Sequence, residues 1–306
     1  MATINDVAKK AFVSKATVSR YINGKKVASN NAKKIDKAIS DLNFTPNRVA
    51  QGLSNQKSDI IGVIVPDLLN PFFSEIVNTI ERTAFADNIS CLIFSSDNNS
   101  EIEAKAIEIC NNFNVQGIVL APVSNKTDLK DYLIPIVTID RYLKTSIKNI
   151  QADNKAIGKK IINYFFDKKV SNILLIEGDS TLDTTIKRRE AFIKEALKKN
   201  MNYTVISSSF ADVYKVYEDI KELDLNNFDG ICMGNEIIAF GVLKNKLRDD
   251  IVKVTVDGTY LNNFLLDDIF TIRQPINDLA TLAYQKVINW DNIKETTILD
   301  IEAINE

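Results

Sequence analysis

The chain has 306 residues, 45% apolar and 25% charged, with no run of about 18 apolar residues and no apolar leader in Met1-Ala2-Thr3-Ile4-Asn5-Asp6. A cytoplasmic protein without a membrane partner is therefore expected. Histidine is absent, and Cys91, Cys110 and Cys232 form no CxxC pair, so Ser-His-Asp and Cys-His catalysis are excluded, a zinc site is disfavoured and the cysteines read as buried reduced thiols. Residues 1–58 carry a net charge of +8 and the remainder −10, so a basic end faces a polyanion or simply water while an acidic body follows.

The first elements are short helices. Ile4, Val7, Ala8 and Ala11 recur at i, i+3, i+4 and i+7, with Thr3 as N-cap and Asp6 at the capping-box position. Ser14 can cap a second helix over Lys15–Ile22 that buries Val18 and Ile22 and stops at Asn23-Gly24. A third, from about Asn31 to Leu42, is apolar at Ile35, Ala38, Ile39 and Leu42. Two helices around a tight turn, closed by a third, follow the helix-turn-helix plan, whose second helix enters the major groove. Lys15 or Arg20 then suits guanine, Ala16 a thymine methyl, and Thr17 and Ser19 the phosphates. The alternative is that Ala16 and Thr17 only pack; a module this small offers no other evident purpose.

The string Thr3-Ile4-Asn5-Asp6-Val7-Ala8, then Val13-Ser14-Lys15-Ala16-Thr17-Val18-Ser19-Arg20, then Asn23-Gly24 resembles the headpiece of the lactose-repressor/galactose-repressor family. Thr3, Ser14, Lys15, Ala16, Thr17, Ser19, Arg20 and Asn23 are the headpiece's candidate DNA contacts. One departure is Phe12, where the family has glycine in the turn. A bulky residue at positive φ is strained, so the expectation is either a reshaped turn or Phe12 packed on the third helix.

Phe44–Leu53 comes next, with Pro46 placed to start a helix and Val49, Ala50 and Leu53 on one side. The segment is too short to hold a helix alone in water, and Gly52 weakens it further. It resembles the family's hinge helix. That resemblance implies Leu53 as a wedge in the minor groove, Ala50 beside it, and Asn47, Arg48 and Gln51 on backbone or groove edges. A plain linker with Leu53 on the core is the alternative. The resulting division is a headpiece over 1–46, a hinge over 47–58 and a core over 59–306.

From Asp59 onward strand-like runs (Ile60–Val65, Cys91–Ser95, Gly117–Ala121, Ile136–Ile139, Ile173–Ile176, Tyr203–Ser207, Gly230–Met233, Lys253–Val256) alternate with helix-like stretches. These are Ser74–Ala86, Glu101–Phe113, Lys155–Phe166, Thr185–Lys199, Val213–Leu223, Glu236–Leu247 and Ile276–Ile288. This alternation predicts an α/β core of two doubly wound parallel-sheet lobes. One lobe takes about 59–155 plus 275–290, the other 156–274 plus 291–306. The pattern resembles the periplasmic sugar-binding-protein fold that the repressor family shares.

Open parallel sheets bind ligands beyond the carboxyl ends of their strands. Phe72 and Phe73, at a loop-helix junction, can stack on a sugar ring or else pack in the core. Asp140-Arg141 directly follows a strand, one accepting from hydroxyls and the other donating, unless the two are only a surface ion pair. The family resemblance further implies Asn70, Arg188, Asn235, Asp257 and Gln274 as effector contacts, with Arg189 a solvated helix charge and Asp97 and Phe210 weaker candidates. The nine, Asn70, Phe72, Phe73, Asp140, Arg141, Arg188, Asn235, Asp257 and Gln274, resemble a ribose-binding pattern.

The expected function is a repressor that binds operator DNA as a homodimer and is released by a small sugar effector, ribose or a similar monosaccharide. A catabolite regulator requiring a phosphorylated carrier protein is the alternative. No P-loop, GxGxxG or metal cluster supports an enzyme, a cofactor or a bound metal.

Overall fold

A computed structural model of the chain describes residues 2–22, 24–44, 58–129, 132–264 and 269–304. The chain falls into two compact units, Met1–Asp59 and Ile60–Glu306.

The first unit holds α1 (Ile4–Ala11), α2 (Lys15–Ile22) and α3 (Ser29–Asp41). Thr3 and Asp6 close a capping box at the start of α1: Thr3 N donates to Asp6 Oδ2 (2.8 Å) and Asp6 N to Thr3 Oγ1 (3.3 Å). Val7, Ala8, Ala11, Val18, Ile35 and Ala38 form the buried core, with Ile22, Ile39 and Leu42 partly covered around it. Phe12 takes neither expected course. Its backbone is left-handed (φ 56°, ψ 42°), its N–H donates to Lys9 O (3.2 Å), and its ring is 89% exposed, not packed on α3. The turn needs a left-handed residue there, and that geometry leaves the ring in solvent.

The second unit carries two six-stranded sheets. The first has the order β11-β5-β4-β3-β1-β2 and comprises β1 (Ile60–Val65), β2 (Ser90–Ser95), β3 (Ile118–Leu120), β4 (Ile136–Ile139), β5 (Lys148–Ala152) and β11 (Glu295–Leu299), all parallel. The second has the order β12-β10-β9-β8-β6-β7. It comprises β6 (Asn172–Glu177), β7 (Asn202–Ser207), β8 (Gly230–Met233), β9 (Val252–Asp257), β10 (Ile269–Arg273) and β12 (Glu302–Ile304). Only β12 runs antiparallel, beside β10. Each first strand, β1 or β6, lies between the next two, which is the doubly wound arrangement that opens a crevice at the carboxyl ends.

Helices cover both faces of each sheet. In the first lobe α4 (Pro71–Ala86) and α10 (Ile276–Ile288) bury Ile76, Ile80, Leu279 and Ala283 against Val63 and Val119. On the other face α5 (Ser100–Asn112) seats Ile107 and Cys110 on Ile64 and Leu120. There a Cβ on Gly62 would fall 2.6 Å from Cys110 Sγ, so only glycine admits this approach. In the second lobe α6 (Asn154–Asp167) and α7 (Asp183–Lys198) bury Phe165 and Phe192. Opposite them, α8 (Val213–Ile220) and α9 (Glu236–Leu243) bury Val216, Ile220, Ile238 and Val242. Each such side chain contributes roughly 1.5–3 kcal/mol of burial.

The chain crosses between lobes after β5, after β10 and between β11 and β12. The allotment of residues 291–306 to the second lobe is corrected here. Glu295–Leu299 pairs with Lys148–Ala152 and completes the first sheet, and only β12 joins the second. Its half-exposed alternation, Thr296-Thr297-Ile298, suits a sheet edge, and β5 is the free edge it meets. β5 itself was absent from the expected strands because Lys148, Asn149 and Gln151 are polar. All three are buried: Lys148 Nζ reaches Asp291 Oδ1 (2.7 Å), and Asn149 Oδ1 accepts from Leu143 N (3.0 Å). Among the described residues no helix is long and apolar enough to cross a membrane.

Candidate functional site

A cavity of about 90 Å³ lies between the two lobes of the core. Asn70, Phe72, Phe73, Asp140, Arg141, Arg188, Asn235, Asp257 and Gln274 all line it. Each comes from a strand's last residue, from just beyond a strand end or from the first turns of the following helix, so the winding of the sheets itself gathers them.

Two asparagines cap helices in the wall. Asn70 caps α4, its Oδ1 accepting from Phe72 N (3.0 Å); Asn235 caps α9, its Oδ1 accepting from Ile238 N (2.9 Å). Both point their amide nitrogens at one acceptor, the carbonyl of Phe210, at 3.3 and 2.9 Å. Phe72 and Phe73 meet edge to face at 5.3 Å. The Arg141 guanidinium lies over the rings of both Phe73 (5.5 Å) and Phe210 (5.4 Å), bridging the lobes, while its Nη1 donates to Pro122 O (2.9 Å). Phe210, a weaker candidate in the sequence, is thus a full member of the wall.

The two aspartates stand on strained backbone. Asp140 follows β4 at φ 65° and Asp257 ends β9 at φ 102°. Such conformations persist only when the surroundings enforce them, and they concentrate at functional sites. Burial pushes Asp140 up to about 6, against the pull of Arg141 and Arg188. Burial, with Glu236 adding to it, pushes Asp257 up to about 7, although Gln274 Nε2 donates to its Oδ1 (2.8 Å). Glu236 is also raised by burial and is held by Thr259, whose N donates to its Oε1 (3.0 Å). Arg141 Nε and Asp140 Oδ2 are 3.7 Å apart and nearly inaccessible, so this is no surface ion pair.

Arg188 donates to Gly234 O (2.8 Å) and Asn154 Oδ1 (2.9 Å). Its Nε is buried without a partner, and so is Gln274 Oε1. One lining residue therefore offers a spare donor and another a spare acceptor. Buried polar atoms of this kind are costly unless something else completes them.

Arg189 corrects the sequence reading: it is not a solvated charge but pairs with Glu177, and both line the cavity. Glu177 was missed although it ends β6, so the strand-end rule that found Asp140 would have found it. Asp97 does not line the cavity; it has a left-handed backbone (φ 50°) after β2. No group of three metal-binding side chains occurs among the described residues.

In the headpiece, Lys15, Ala16 and Arg20 are exposed on α2 while Val18 is buried beneath them. Ser14 Oγ accepts from Thr17 N (3.1 Å) and bonds Thr17 Oγ1 (2.8 Å), so both hydroxyls help start α2. Ser19 is half-buried, and Arg20 reaches Lys26 O at 3.5 Å. Thr3 serves the capping box. Asn23, Asn47, Arg48, Ala50 and Leu53 lie outside the described residues.

The chain is similar to a ribose operon repressor of Halalkalibacterium halodurans, 30% identical over 300 residues that span 94% of this chain and 90% of that one. A sucrose operon repressor of Lactococcus lactis subsp. lactis is 29% identical, spanning 99% of this chain and 98% of that one. A crystal structure of the Lac repressor bound to ONPG in the repressed state shares the fold, with a TM-score of 0.87, 21% identity, and coverage of 99% of this chain and 98% of that one. Residues 3–47 match the family described as bacterial regulatory proteins, lacI family, and residues 58–269 match periplasmic binding proteins and sugar binding domain of LacI family. With a helix-turn-helix unit joined to a two-lobed core of that sugar-binding type, the chain belongs to the LacI family of bacterial regulatory proteins.

Proposed function

We propose that this protein represses a carbohydrate-utilisation operon by binding operator DNA as a homodimer, and that a small uncharged sugar, ribose or a similar monosaccharide, releases it. The carrying observation is the cavity's arrangement of unmet and balanced groups. Arg188 Nε can donate to a sugar oxygen and Gln274 Oε1 can accept from a hydroxyl. Phe72, Phe73 and Phe210 supply apolar ring faces, and Asp140 and Asp257 add acceptors at either side. Arg141 and Arg189 already face Asp140 and Glu177, while Arg188, bonded to Gly234 O and Asn154 Oδ1, has one nitrogen, Nε, without a partner, which suits a single sugar oxygen. The repressor names of the H. halodurans and L. lactis relatives support the same reading.

On this reading α2 meets base edges through Lys15, Ala16 and Arg20, and the segment 47–58, with Leu53 as its wedge, transmits the state of the core. Sugar favours a lobe arrangement that keeps the paired hinges apart, and a differential affinity of a few kcal/mol suffices to empty the operator. Titration calorimetry of the full chain with D-ribose, other monosaccharides and their phosphates is the test, paired with release from an operator selected out of random DNA. Heat from phosphorylated sugars alone, or operator binding only with a phosphorylated carrier protein present, would refute the proposal. Leu53→Ala should weaken operator binding far more than binding to random duplex, and equal losses would discard the wedge.

A further inference from the structure

Asn154 does not line the cavity, yet it touches a residue that does. It is the first residue of α6, 2% exposed, and its two amide atoms are divided between two tasks. Its Oδ1 accepts from Arg188 Nη2 (2.9 Å). Its Nδ2 donates to the carbonyl of Ala152 (3.2 Å), the last residue of β5 and the point where the chain leaves the first lobe. Between them Asp153 N donates to Leu299 O (2.9 Å), which ends β11 where the chain again passes between lobes. One asparagine thus joins the cavity's arginine to a place where two crossovers are bonded together.

The backbone around it leaves little freedom. One turn further along α6, a Cβ on Gly158 would stand 2.3 Å from Arg188 O and 2.8 Å from Phe192 N, so α6 and α7 touch backbone to backbone there. With Nη1 on Gly234 O (2.8 Å) and Nη2 on Asn154, Nε is the guanidinium nitrogen left without a partner.

We infer that Asn154 is a positioning residue that aims the Arg188 guanidinium into the cavity and couples it to the first lobe crossover. The ligand half of this statement rests on the sugar-binding reading above; the coupling half does not. Bonds to a charged group are stronger than neutral ones, and a guanidinium locked on Asn154 holds Ala152 through the same amide. Occupancy at Nε then stiffens the crossover through a side chain that never meets the ligand.

The test is a double-mutant cycle on the intact chain without ligand, read by amide hydrogen exchange across residues 150–158. Arg188→Ala should speed crossover exchange about 10-fold in the parent, the scale of one lost bond to a charged group, and add little in an Asn154→Ala background. Equal accelerations in both backgrounds would overturn the coupling. Should Asn154→Ala not fold, Asn154→Asp replaces it: it keeps an acceptor for Arg188 and loses the donor to Ala152. With D-ribose as probe, Asn154→Asp should bind within a few-fold of the parent but lose the ribose-dependent slowing of crossover exchange; retention of that slowing overturns the inference. Because the cycle uses no ligand, a parent that ignores D-ribose overturns only the sugar reading.

Discussion

Replacing Phe12 with glycine should stabilise the headpiece, although it deletes an aromatic side chain. Phe12 sits at φ 56°, ψ 42°, where an L-residue costs roughly 1–2 kcal/mol because its Cβ crowds the following carbonyl. Glycine lacks that clash, and its greater freedom in the unfolded chain takes back about 0.5–1 kcal/mol. The ring is 89% exposed, so almost no burial is forfeited, and the N–H to Lys9 O remains. The net gain is about 0.5–1 kcal/mol, with alanine, which retains a Cβ, giving little of it. Hydrogen exchange at the buried amides of Val7, Val18 and Ile35 in the intact chain should slow about 2- to 5-fold in Phe12→Gly, at 1.36 kcal/mol per tenfold. Unchanged or faster exchange, or an equal gain from Phe12→Ala, would refute the claim that backbone strain is the governing term.

Arg188→Ala should lower affinity for the proposed sugar effector about 100-fold while thermal unfolding of the core stays cooperative; an unaltered calorimetric isotherm would mean the cavity is misassigned. Asp140 and Asp257 are raised by burial to about 6 and about 7, so the native core binds more protons than the unfolded chain between their ordinary value and those figures. The stability they contribute is complete below about pH 4 and lost as pH rises through about 7. Melting temperature without sugar should therefore fall between pH 5 and pH 8, and fall less in Asp257→Asn; parallel profiles would contradict this. Gly62→Ala should cost about 1–3 kcal/mol because the new methyl meets Cys110 Sγ at 2.6 Å, and Cys110→Ala in the same chain should recover most of the loss in a urea titration.

The strand-end residues were legible because a parallel sheet fixes where ligands go before any side chain is known. Asp140 follows Ile136–Ile139 without a gap, and Asp257, which the family resemblance implied, is the last residue of β9. The rule failed where the sequence disguised its strands. Lys148–Ala152 looks like a loop, since nothing in its own residues announces that Thr138, Leu143 and Asp291 will meet its polar groups. Arg189 reads as a solvated charge on a helix until Glu177, twelve positions earlier, is folded against it. Asn154 is less legible still. Its place in the fold depends on two partners, one two residues back and one 34 residues away, and on a helix contact that Gly158 permits. Phe12 shows the reverse: the sequence flagged the strain, and only geometry could show that the chain accepts it.

The division of the last two strands has a consequence for biosynthesis. Helix α10 covers the first sheet, strand β11 completes it and β12 completes the second, and all three lie between residues 276 and 304. During synthesis every residue of the headpiece's core is therefore made before either lobe, while both lobes stay open at an edge until residues 295–304 have been added. A premature stop between residues 274 and 295 would leave β5 and β10 bare at once, and such margins are templates for aggregation. Truncated products should be cleared as insoluble protein and should not survive as partial regulators.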